Sequence, residues 1–137
     1  MGMLDGKIVI VTGASSGIGA SCAEVMAAEG AKVVGGARRQ DRLDEVAAKI
    51  GGNFLPVVTD VKKEADILNL FAQCDKAFGA PHIIVNCAGF AQHKPTIDMS
   101  LADWNDIIET NLTSVFLCSR EAFKVFKPLG RGRIINI

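Results

Sequence analysis

The chain has 137 residues, of which 49% are hydrophobic and 22% charged, with 15 Lys+Arg against 15 Asp+Glu. That length and balance fit one globular domain and exclude a disordered chain. A formal charge of zero leaves no net field to draw in a polyanion, so nucleic acid is not an expected partner.

The opening segment, MGMLDGKIVIVTG, has only a short apolar run from Ile8 to Val11. It lacks the longer apolar stretch and cleavage site of a signal peptide, and a membrane helix needs about 20 apolar residues. The expectation is a cytoplasmic protein with no membrane partner. Lys7–Thr12 (KIVIVT) is a nearly continuous β-branched run, the pattern of a strand buried on both faces of a parallel sheet. After a glycine-rich stretch, Ile18, Cys22, Val25 and Met26 recur at helical spacing, and Gly30 is placed to end that helix. Lys32–Val34 resumes a strand.

Asp41 is placed to cap a second helix with Leu43, Val46, Ala47 and Ile50 on its inner face and Gly51 as its stop. Phe54–Val58 reads as a third strand, interrupted only by Pro56. A third helix follows, with Ile67, Phe71, Cys74 and Phe78 on one stripe and Gly79 closing it. His82–Val85 is a fourth strand. Ser100 with Asp103 three positions on resembles a capping box with Asp in place of Glu. It opens a long helical region reaching to about Phe126, and Arg133–Ile137 begins a fifth strand. Cys22, Cys74, Cys87 and Cys118 show no CxxC or CxxH spacing, and His82 and His93 are too few for a metal cluster. Reduced thiols and no metal are expected.

Strands that alternate with helices through short connections imply right-handed crossovers and an α/β fold. The expected architecture is a doubly wound parallel sheet of the Rossmann type in three α/β/α layers. Its strand order is 3-2-1-4-5, and a ligand crevice lies between strands 1 and 4.

Thr12–Gly19 (TGASSGIG) lies directly after the first strand and opens the first helix. Gly13 permits a tight turn, Gly17 lets backbone approach a phosphate, and Gly19 allows close helix–strand packing. The free amides at the helix start, together with the helix dipole, then favour a diphosphate. The spacing is GxxxGxG rather than GxGxxG. With Thr12 it resembles the TGxxxGxG motif of the short-chain dehydrogenase/reductase family. Asn86-Cys87-Ala88-Gly89 looks like that family's NNAG motif with cysteine in the second place. Asp60-Val61 resembles its pair beside the adenine, Asn111 within ETNLTSVF its active-site asparagine, and GRIINI the strand leading to its catalytic serine.

The resemblance implies a domain over 1–137 that binds a nicotinamide dinucleotide. Its cofactor-binding residues would be Gly13, Ser15, Ser16, Gly17, Ile18, Gly19, Arg38, Arg39, Asp60, Val61, Asn86, Ala88 and Gly89. Ala37 stands where an acidic residue would bond a ribose 2′-hydroxyl, and Arg38 and Arg39 follow, which favours NADP over NAD. The family's other NADP signal is a basic residue before the second motif glycine, but Ser16 occupies that place. Hydride transfer with an alcohol or carbonyl substrate is implied, with Asn111 anchoring a water in the proton relay. The family's Tyr-x-x-x-Lys pair cannot occur here, because the chain contains no tyrosine. Its serine is expected about two residues beyond Ile137. Hence the residues read either as the front part of an NADP-dependent oxidoreductase, or as a non-catalytic truncated isoform or pseudoenzyme that binds nucleotide or a partner subunit. In a complete enzyme the fifth strand would lie inside the sheet; cut at Ile137 it would be an exposed apolar edge, so a longer chain or a covering partner is expected. Leu112, Val115, Phe116, Phe123 and Phe126 serve either a homodimer or homotetramer contact or packing against the sheet. Phe90–Met99, with His93, is either the rim of a substrate pocket or a solvent loop.

Overall fold

The computed structural model describes residues 2–137. Five strands, β1 (Ile8–Thr12), β2 (Lys32–Ala37), β3 (Phe54–Val58), β4 (Ile83–Asn86) and β5 (Arg133–Asn136), pair in the order β3-β2-β1-β4-β5. Every pairing is parallel. Alternation along each strand splits the apolar run of β1 between two cores. Val9 and Val11 join Val33, Leu43 and Val46 beneath α1 (Gly17–Ala28) and α2 (Gln40–Ile50). Ile10 joins Val34, Ile67, Leu70 and Leu117 beneath α3 (Glu64–Ala77) and α5 (Ser114–Leu129). A strand with helices on both faces needs an apolar residue at every position, which is why β1 does not alternate.

Local details depart from the sequence expectations. The apolar spacing on α1 does not mark its buried face, since Ile18 and Val25 are 60% and 63% exposed. Gly19, Ala23 and Ala27 are buried instead, with Cys22 and Met26 partly packed beside them. Small side chains let this helix approach the sheet closely. Asp41 is not the cap of α2: Arg39 holds that position with no side-chain hydrogen bond, and Asp41 sits in the first turn. There its charge still favours the helix dipole. β2 continues through Gly35 and Gly36 to Ala37, because the Phe54 ring of β3 lies against Gly35 where a side chain would stand. Pro56 is tolerated because β3 is an edge strand. On α3, Leu70 rather than Phe71 or Phe78 completes the buried stripe. The Phe78 ring instead carries the Lys32 ammonium, 5.2 Å from its centroid.

The long helical region is three pieces: α4 (Leu101–Ile108), a π-helical turn over Glu109–Thr113, and α5. Ser100 and Asp103 form the expected reciprocal capping box. Phe126 packs into the core, whereas Leu112, Phe116 and Phe123 face outward. The four cysteines are free, and no helix among the described residues is long and apolar enough to cross a membrane.

β4 begins at Ile83, and His82 just before it performs a separate task. The Ile8 amide donates to His82 Nδ1 at 3.1 Å, tying the starts of β1 and β4 together. Burial, then the positive charges of Arg131 and Lys7, hold this imidazole below its ordinary value of 6.5.

Two consequences are measurable. Alanine exceeds glycine in helix propensity by about 1 kcal/mol, yet a Cβ at residue 19 would overlap the Gly13 carbonyl oxygen. Gly19→Ala should therefore lower the urea-unfolding free energy by about 1–3 kcal/mol, the range for overpacking. For His82, the unfolded chain binds its proton before the folded one does as pH falls. The contribution of the neutral ring is thus present above about 6.5 and is lost as pH drops through the folded-state value. The urea midpoint of the wild type should fall between about pH 7 and pH 5, and that slope should flatten in His82→Gln.

Candidate functional site

The carboxyl ends of β1, β2, β3 and β4 surround a cavity of about 550 Å³. Gly13, Ser15, Ser16, Gly17, Ile18 and Gly19 form one wall, and Ala37, Arg38 and Arg39 the end beyond β2. Asp60, Val61 and Lys62 enter after β3, and Cys87, Ala88, Gly89 and Phe90 after β4. Asp106 and Thr110 close it from α4 and the π turn. Segments far apart in sequence meet here because parallel strands deliver all their following loops to one edge of the sheet.

Backbone contact builds the loop. A Cβ on Gly13, at φ +67°, would stand 2.8 Å from the backbone of Ala88, so no larger residue fits between β1 and the segment after β4. The buried Thr12 hydroxyl oxygen accepts from the amides of Cys87 (3.1 Å) and Ala88 (3.2 Å), fixing that approach. The Ala14 amide donates to the Gly36 carbonyl at 3.2 Å, which ties the loop to β2 as well.

The start of α1 is left open. Ser16 makes no side-chain cap bond, the first turn holds no acidic residue, and Ala20 is the residue whose amide bonds back to Ser16, at 3.2 Å. The preceding amides and the helix dipole therefore face the cavity as donors. Arg38 and Arg39 are exposed and make no ion pair with the described residues. Burial first, then the nearby Cys22, raise the Cys87 thiol above its ordinary value, so it adds no negative charge to the wall. Open amides, two free guanidinium groups and a backbone cradle suit a ligand bearing phosphates.

The loop after β3 is internally braced. The Asp60 amide donates to Asp66 Oδ2 (2.8 Å) and the Lys62 amide to Asp60 Oδ1 (3.0 Å). Lys62 Nζ also lies 2.6 Å from Asp106 Oδ1. The hydrogen bond and charge of Asp106 raise the lysine's pKa above its usual value.

Two residues expected in the site stand outside the cavity wall. Asn86 is buried in the sheet, where its Nδ2 donates to Asn136 Oδ1 at 2.9 Å. Its own Oδ1 has no partner among the described residues. Asn111, in the π turn, spends both ends of its amide on one neighbour. Nδ2 donates to the Phe90 carbonyl (2.8 Å) and Oδ1 accepts from the Phe90 amide (3.0 Å). It thereby holds the segment leaving Gly89, beside which its Oδ1 lies. Further on, Lys94 Nζ meets Asp103 Oδ2 at 2.6 Å, fastening the Phe90–Met99 segment to α4. The Lys94 bond, and then those from the Ser100 amide and hydroxyl, hold the Asp103 carboxyl at about 2. His93 is exposed and does not line the cavity. No group of three His, Cys, Asp or Glu among the described residues is placed to hold a metal.

Sequence reasoning did not find the bridging role of Thr12, although a hydroxyl ending a buried strand was a visible signal. Lys62 and Asp106 carry no such signal, being 44 positions apart.

A family model described as short chain dehydrogenase matches residues 7–137. The 3-oxoacyl-[acyl-carrier-protein] reductase FabG of Escherichia coli (strain K12) is 39% identical over 133 residues, covering 97% of this chain and 54% of that protein. Dehydrogenase/reductase SDR family member 11 of Gallus gallus is 34% identical over 139 residues, with 96% and 54% covered. The chain thus spans about half the length of the curated relatives it matches. A crystal structure of a short chain dehydrogenase from Bacillus anthracis superposes with a TM-score of 0.91 at 37% identity, covering 96% of this chain and 56% of that one.

Removing the Thr12 hydroxyl would leave two amides of the wall without an acceptor. Thr12→Val should cost about 1–3 kcal/mol in urea unfolding, the desolvation penalty of unpaired buried groups, and Thr12→Ser should recover most of it.

Proposed function

The chain belongs to the short chain dehydrogenase family, and from that premise we propose that it is the coenzyme-binding part of an NADP(H)-dependent oxidoreductase. The reaction is hydride transfer between the nicotinamide and an alcohol or carbonyl substrate. The observation that carries the coenzyme choice is the layout of charge in the cavity. Arg38 and Arg39 open beside the uncapped start of α1, and Ala37 at the end of β2 brings no carboxylate.

Amides at the start of α1 hold the diphosphate, and the glycines leave room for it against the backbone. Arg38, with Arg39 beside it, takes the 2′-phosphate through forked donors. Asp60 and Val61 flank the adenine, while Ala88 and Gly89 flank the opposite part of the dinucleotide. Bound there, the coenzyme supplies the hydride donor or acceptor. Asn111 acts through Phe90, keeping the strand-end segment against the cavity. A carbonyl substrate agrees with the reductase named among the relatives.

A second reading rests on one specific observation, the absence of tyrosine from the chain. The family's tyrosine acid/base is therefore not among these residues, and the 137-residue chain by itself binds coenzyme without turning over substrate. The outward-facing Leu112, Phe116 and Phe123 support assembly with a second copy, and the four free thiols support a reducing cytoplasmic setting.

Calorimetric titration tests the coenzyme. NADPH should bind more tightly than NADH, and Arg38→Ala should weaken NADPH by about tenfold, the worth of a charge-assisted hydrogen bond, while leaving NADH nearly unchanged. No heat with either coenzyme would overturn the dinucleotide reading. An unaltered preference in Arg38→Ala would remove that residue from it.

A further inference from the structure

Among the described residues, the Lys62–Asp106 ion pair is the one with both partners in the cavity wall. It joins the loop after β3 to α4, across 44 positions, at 2.6 Å. The backbone beneath Lys62 is held by Asp60 and Asp66. Asp106 stands less than one helical turn before the π turn that carries Asn111. The lysine also lies in the fields of Asp60 and Glu109, so one ammonium faces three carboxylates. Two of those carboxylates, Asp60 and Asp106, border a cavity whose other groups, the open amides of α1 and the two arginines, are arranged for negative ligand charge. An unpaired Asp106 would oppose that arrangement.

We propose that Lys62 is a positioning residue for the dinucleotide: reaching from the loop after β3 to α4, it masks the Asp106 carboxylate, so that Asp106 presents no unpaired negative charge to the coenzyme's phosphates. The assignment rests on the cavity being a dinucleotide site, as given under Proposed function. Lys62 need not touch the coenzyme. It acts through Asp106.

Calorimetric titration of the full chain with NADPH provides the test. At about 50 mM salt, Lys62→Gln should weaken binding about three- to tenfold, the scale of one exposed charge left unpaired in the same cavity as the phosphates. The deficit should shrink at about 0.5 M salt, where screening is strong. Adding Asp106→Asn to Lys62→Gln should restore affinity, and Lys62→Arg should retain it. A strap that only stabilised the fold would not be rescued by deleting the carboxylate, so failure of that rescue overturns the proposal. So does a Lys62→Gln chain that binds as the wild type. Asp106→Asn alone, which removes the charge without requiring the lysine to change, should bind NADPH at least as tightly as the wild type. Weaker binding would count against masking even if Lys62→Gln did not fold. Wild-type chain that binds no NADPH would sink the dinucleotide reading itself, a result separate from an unchanged Lys62→Gln titration.

Discussion

The whole cleft depends on three backbones approaching more closely than side chains allow. Gly13 at the end of β1 rests against the backbone of Ala88, and Gly19 on α1 rests against the carbonyl of Gly13. Thr12 converts this contact into a fixed spacing by accepting two amides from the segment after β4. The small buried face of α1, Gly19, Ala23 and Ala27, carries the same constraint down the helix and seats it low on the sheet. If the helix sat higher, its open amides would no longer point into the space between β1 and β4.

Charge is arranged on a smaller scale than the neutral total implies. Near the start of α1 and beyond β2, donors and guanidinium groups predominate without carboxylate partners. Across the cavity the acids outnumber the bases, and Lys62 balances Asp106 where α4 closes the wall. Screening confines each exposed charge to its own neighbourhood. A chain with no net field can therefore still present a site suited to phosphates.

The π turn at Glu109–Thr113 shows how an irregularity serves position. An extra residue in one turn places Asn111 where both ends of its amide reach the Phe90 backbone. π turns are frequent at functional sites because they re-aim side chains without ending the helix. Here the result is a clamp on the segment that follows Gly89. Just beyond it, Lys94 and the capping-box residue Asp103 make a second attachment. The segment after β4 is thus held at Phe90 and again at Lys94, which keeps one wall of the cavity in place.

Much of this was legible in the sequence, because it rests on local rules. Continuous β-branched runs and glycine stops gave the strands, their alternation with helices gave the sheet order, and the glycine loop gave one wall of the cavity, while the family resemblance supplied the lining residues after β2, β3 and β4. Ser100 and Asp103 gave their capping box, since a cap needs only neighbours three positions apart. What periodicity misjudged was the buried face of α1: Ile18 and Val25 are apolar yet point outward, because close approach to the sheet admits only small residues there. Asn86 and Asn111 belong to recognisable motifs, but no motif says whether an amide faces a ligand or its own backbone. The meeting of Lys62 with Asp106, of His82 with Ile8, and of Thr12 with Cys87 and Ala88 was decided by tertiary structure alone. Each joins residues more than forty positions apart, and only the parallel order of the strands brings them within bonding distance.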